Sequence, residues 1–129
     1  MAIERFEDIE GWQLARELTK QIYKIWNCSD ARRDFALRDQ MLRAAGSIMH
    51  NIAEGFDAGS NPEFIRFLGY AKRSCTEVQS QLYVALDQVY IDPAKFEELF
   101  EAARLTRAKI GALMHYLSRN ARPANRFEP

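Results

Sequence analysis

FALRDQMLRAAGSIMHNIAEGFD, residues 35–57, decides the fold. Leu37, Met41, Ala44, Ile48 and Ile52 recur at three- and four-residue intervals, the period of one helical face and not of a strand. Asp34 precedes the run as N-cap, where a short carboxylate accepts a first-turn amide. The Gly55 to Gly59 region ends it. A helix over about 35–56 with one apolar stripe is unstable alone and must bury that stripe against partners.

The rest of the chain supplies them. Upstream, Ile9, Trp12, Ala15, Leu18, Ile22, Ile25 and Trp26 form the stripe of a first helix over about 8–26. Downstream, Asn61 or Ser60 can cap a third helix over about 62–90, with Pro62 in the first turn, where a missing N–H costs nothing. Its stripe runs from Phe64, Phe67 and Leu68 through Ala71, Cys75, Val78 and Leu82 to Ala85, Leu86 and Val89. Asp92 and Pro93 repeat the start signal for a fourth helix over about 93–119, with Phe96, Leu99, Ala103, Thr106, Ile110, Leu113 and Leu117 inward. Short connections make successive helices antiparallel neighbours. The expected fold is all-α, an up-down-up-down antiparallel four-helix bundle over residues 1–120, with 121–129 a flexible tail.

The chain of 129 residues is one domain's length. No apolar run approaches the roughly 20 residues that span a bilayer. Acids occupy the N-terminus where a secretory signal has a basic start and an apolar run, so a cytoplasmic location and no membrane partner are expected. Cys28 and Cys75 are then free thiols. Lys plus Arg and Asp plus Glu are 18 each, so binding of nucleic acid through bulk charge is not expected and a local patch is required. Acids gather at the start of the chain and bases after Ala102, a pattern that also serves to solvate different faces.

A di-iron bundle needs Glu-x-x-His on two helices, but Ser47 and Ala112 stand three residues before His50 and His115. His50 and Glu54 make half a metal site at most. Ser47 lacks a nucleophile elbow, and Cys28 sits at a helix C-terminus that disfavours a thiolate. No phosphate-binding glycine loop occurs. No catalytic residue, metal site or cofactor is therefore expected, and the protein is not expected to be an enzyme.

Two surface features remain. Apolar residues lie off the core stripes: Leu42, Met49 and Phe56 on the second helix, Ile65, Tyr83 and Tyr90 on the third, Leu105 and Tyr116 on the fourth. Their alignment along helices suggests a subunit interface. Arg66 and Arg73 lie two turns apart with Tyr70 between them, and Arg with Tyr can hold phosphate and stack on bases. The second helix adds a polar stripe of Asp39, Arg43, Ser47, His50, Asn51 and Glu54. The competing reading is that Asp39–Arg43 and Arg73–Glu77 are ordinary i, i+4 ion pairs.

Several blocks together resemble the four-helix-bundle proteins encoded by intervening sequences of bacterial 23S ribosomal RNA genes. They are Leu37-x-x-Gln40-x-x-Arg43-Ala44-Ala45, Ser47-Ile48 leading into Asn51-Ile52-Ala53-Glu54-Gly55, Glu63-Phe64 with Phe67-Leu68, then Ala71, Ser74 and Glu77. The likeness covers about Phe6 to Leu117; Met49 departs from it where many members carry Pro, which implies a straighter second helix. The resemblance implies a ring-like homopentamer. It extends to the accessory protein of diversity-generating retroelements, which works with a reverse transcriptase and nucleic acid. The implied partners are further copies of the chain, RNA or DNA, and a reverse-transcriptase-like or other protein. Arg43, by motif match, joins Arg66 and Arg73 as a candidate nucleic-acid contact; no catalytic residue is implied, and the alternative reading is an oligomeric protein-interaction scaffold or adaptor with no nucleic-acid role.

Overall fold

The computed structural model describes residues 3–28 and 30–120. It contains helices α1 (Glu10–Ile25), α2 (Phe35–Asp57), α3 (Asn61–Asp87) and α4 (Pro93–Arg119), with single 3-10 turns at Phe6–Asp8 and Ala31–Arg33. No strand occurs among the described residues. Each helix packs on its neighbour in sequence, and α1 closes the ring against α4.

Named contacts give the direction of every pair. Thr19 of α1 donates to the Ala45 carbonyl of α2 at 3.3 Å, while Gly11 faces Ile52. Ser74 of α3 donates to Ser47 of α2 at 3.0 Å, while Gly55 lies against Phe64 and Phe67. Between α3 and α4, Gln79 donates to the Phe100 carbonyl at 3.5 Å, and Asn61 to that of Leu117 at 3.3 Å. Between α1 and α4, Gly11 meets Ile110, while Leu18 and Gln21 share a groove with Glu98 and Leu99. In each pair one number rises as the other falls, so all four neighbours are antiparallel. The sequence-based up-down-up-down bundle is the observed fold.

The caps explain where the helices start. Asp34 accepts the Leu37 amide at 3.1 Å and Asp92 accepts that of Lys95 at 2.7 Å. At α3 the cap is Ser60, which accepts from Glu63, and not Asn61. Asn61 is instead buried, and its amide donates to the Leu117 and Asn120 carbonyls. It satisfies acceptors at the end of α4 that the helix leaves open. At the opposite end, the second carboxylate oxygen of Asp34 accepts from Tyr90 Oη at 3.0 Å, and the Tyr90 ring stands edge-on to Trp26 at 6.0 Å. Each end of the bundle is therefore tied across helices.

The stripe residues of α2 are all buried, with Met41, Ile48 and Ile52 fully so alongside Leu18, Ile22, Phe64, Leu68, Leu82, Leu99 and Ile110. Each such side chain contributes about 1.5–3 kcal/mol on leaving water. Thr106, also fully buried, returns its hydroxyl to the Ala102 carbonyl at 2.7 Å. α2 runs without a break through Met49.

Val89 departs from its expected place in the third stripe. α3 ends at Asp87, and Val89 is 80% exposed. Tyr90 N–H donates to the Ala85 carbonyl and Val89 N–H to that of Leu86, both at 2.9 Å. This double closure is a Schellman turn, which requires a left-handed residue at the position Val89 fills, at φ 62°. The turn directs Ile91 inward and Val89 into solvent. The tail expected over 121–129 lies outside the described residues.

Candidate nucleic-acid interface

The polar residues of α2 divide between structure and surface. Ser47 Oγ accepts from Ser74 Oγ at 3.0 Å and from Asn51 Nδ2 at 2.9 Å. Asn51 also donates to the Ser47 carbonyl. These side chains form a polar bridge between α2 and α3, which engages the Ser47 hydroxyl with Asn51 and Ser74. Gly55 serves the same contact sterically: a Cβ there would lie 2.8 Å from Phe67 Cβ and 3.0 Å from Phe64 Cδ1. Two helices approach closely because this position has no side chain.

Cys75 is buried, and burial pushes its thiol up to about 12 against the opposing charge of Arg107. Among the described residues, no group of three His, Cys, Asp or Glu side chains is placed to hold a metal ion.

Charge and aromatics meet on α3. Arg66 forks onto Glu63, with Nη2 to Oε1 at 2.6 Å and Nε to Oε2 at 3.3 Å. Its remaining arm, Nη1, donates to Tyr70 Oη at 2.8 Å. The Arg66 hydrogen bond holds Glu63 below the usual carboxylate range, and Glu63 in turn raises Arg66. The pair is exposed, so water screens it and it adds little stability. Its geometric effect is larger: Arg66 fixes the orientation of Tyr70. Phe67 supports the same ring edge-on at 5.8 Å, and Arg73 approaches its face at 6.0 Å.

The competing ion pairs do not form. Asp39 pairs with Arg38 at 3.1 Å, and Glu77 accepts from Gln81 at 3.4 Å. Arg43 and Arg73 enter no ion pair among the described residues. The structure brings Arg66 and Arg73 together around Tyr70. Arg43 is separate from that array and lines a groove toward α1 with Thr19, Tyr23, Leu42, Met49 and His50.

The expected subunit-contact residues fall into two groups. Leu42, Met49, Phe56 and Ile65 are half-buried against the bundle's own core. Tyr83, Leu105 and Tyr116 are exposed, Tyr83 by 52% while its ring leans on Phe96 and Phe100. Phe35 and Val84 are exposed apolar residues that periodicity did not single out, and Val89, counted into the core stripe of α3, is exposed as well. Tyr90, grouped with the surface aromatics by spacing, is half-buried and occupied with Asp34.

Comparison with known proteins agrees with this architecture. Residues 7–112 match the 23S rRNA-intervening sequence protein family. The fold is similar to the crystal structure of a protein with unknown function from the S23 ribosomal protein family of Bacteroides thetaiotaomicron. That comparison gives a TM-score of 0.75 at 21% identity, and covers 81% of this chain and 95% of the other. No curated protein matches the chain.

Proposed function

Because this chain belongs to the 23S rRNA-intervening sequence protein family, we propose that it is a non-catalytic helical bundle that assembles into a homopentameric ring and associates with RNA. The observation that carries this reading is Arg73, a guanidinium with no acidic partner held beside the exposed ring of Tyr70. Arg66 supports it by orienting that ring. A base can stack on the tyrosine while the arginine takes the adjoining phosphate. Arg43 on α2, in no ion pair among the described residues, lines a separate groove that also holds Glu54, and it provides a second contact there. A chain of zero net charge binds weakly through any one such site. Ring symmetry repeats each site, and repeated weak contacts act together when their spacing suits the ligand. Exposed Tyr83, Leu105 and Tyr116 supply apolar surface for the subunit contacts. No described helix is long and apolar enough to cross a membrane.

The test is titration of a labelled RNA hairpin at low and physiological salt, with the mass of the free protein measured in parallel. The wild type is expected to sediment at about five times its subunit mass and to bind with a steep salt dependence. Replacing Arg43 and Arg73 by Ala is expected to lower both affinity and salt slope. Unchanged affinity removes the arginine assignment, and a monomer at micromolar concentration removes the ring.

A further inference from the structure

A second basic feature lies around the α3 surface from Tyr70. Lys72, Arg73 and Thr76 of α3 and Arg107 of α4 line an open groove of about 430 Å³, floored by Gly69 and Met114. No acidic side chain lines it. None of its three cations takes part in an ion pair among the described residues, whereas Arg66, Lys95, Arg104 and Lys109 all do.

Small residues make room for it. A Cβ on Gly69 would meet nothing nearer than Met114 Cε at 3.9 Å. A Cβ on Gly111, across on α4, would meet only Lys72 Cδ at 4.0 Å, so the lysine stem lies toward the other helix. Arg107 is also directed: its Nε donates to Thr76 Oγ1 at 3.2 Å, which aims the guanidinium at α3 and commits none of its terminal nitrogens. Three like charges sharing one groove repel one another, and an anion between them relieves that repulsion. The volume suits a group of nucleotide size. Arg73 belongs both to this groove and to the Tyr70 platform, so the two features are continuous.

We propose that the α3–α4 groove seats a backbone phosphodiester of bound RNA, held by Lys72, Arg73 and Arg107, with the adjoining nucleotide stacked on Tyr70. This rests on the RNA-associated reading above and names its main site. Lys72 and Arg107 provide charge that neither helical periodicity nor local spacing connects, because they lie on different helices and meet only across the bundle.

The experiment is the same RNA-hairpin titration, on the full chain, with three double variants. Lys72→Gln with Arg107→Gln removes two groove charges; affinity at low salt is expected to fall by on the order of tenfold, and the salt slope by about 2. Lys20→Gln with Lys24→Gln removes the same charge from α1 and is expected to leave binding within about twofold if the groove is the seat. Lys72→Arg with Arg107→Lys keeps the charge but loses the Thr76 hydrogen bond, and is expected to bind more tightly than the Gln pair, which separates lost charge from lost fold; helicity is checked by circular dichroism. Equal losses in the groove and α1 variants would mean that net charge alone matters, and would overturn the groove. No loss in either would also overturn it while leaving RNA binding in place. Failure of the wild type to bind at low salt overturns the RNA reading and the groove with it.

Discussion

Replacing Val89 with glycine should stabilise this protein, although it deletes an apolar side chain. Val89 sits at φ 62° because the Schellman closure onto Ala85 and Leu86 demands a left-handed residue there. An L-residue in that region costs roughly 1–2 kcal/mol, and a β-branched one is a poorer occupant still. At 80% exposed, the valine recovers little of this through burial. Glycine removes the steric cost but adds about 0.4–1 kcal/mol of unfolded-state entropy. The balance favours glycine by about 0.5–1 kcal/mol, or a rise of roughly 2–6 °C in Tm for a domain of this size. Urea unfolding read by circular dichroism is the assay, and the midpoint should rise with the slope unchanged. It should be run at two protein concentrations, since subunit association adds stability by mass action. Val89→Ala keeps a Cβ in the left-handed region and should change little. A midpoint for Val89→Gly at or below the wild-type value at both concentrations would refute the strain argument. A loss confined to the higher concentration would instead place Val89 in a subunit contact.

Gly55→Ala should act in the opposite sense. The new Cβ meets Phe67 Cβ at 2.8 Å, an atom fixed to the α3 backbone that cannot swing aside. Overpacking of about 1–3 kcal/mol outweighs a helix-propensity gain of at most about 1 kcal/mol, so a net loss near 1–2 kcal/mol is expected in thermal unfolding; equal or greater stability would show that the helices are not held this close. Tyr90→Phe should flatten the alkaline limb of the stability profile. The hydrogen bond to Asp34 raises the Tyr90 phenol above its ordinary 10.0, so its contribution is whole below that pH and disappears as pH climbs through the higher folded value. Identical alkaline profiles for wild type and variant would remove Tyr90 as the titrating group.

Local order along the chain was legible because helices advertise themselves through short-range pattern. Leu37, Met41, Ala44, Ile48 and Ile52 needed only their own spacing to identify the buried face of α2, and Asp34 and Asp92 needed only their position to be caps. The roles of the motif residues were not legible in the same way. Ser47, Asn51 and Gly55 stand out in sequence as a polar-and-small block, yet two of them form a bridge to Ser74 and the third lets Phe67 approach. Asn61 looked like a helix start and closes the end of a different helix. Val89 matched its stripe by count but is the left-handed residue of the turn that ends α3.

Helical periodicity thus determined four amphipathic segments and their order, and the short connections their antiparallel packing, since each depends on residues within a few positions of one another. The tertiary structure decided which charges are neutralised. Whether Arg66, Arg73, Lys72 or Arg107 has a partner depends on rotamers and on neighbours from another helix. The i, i+4 spacing permitted Arg73 to pair with Glu77, but Glu77 accepts from Gln81 instead. A charge interacts through space and not along the chain, so the basic groove between α3 and α4 exists only once the bundle has closed.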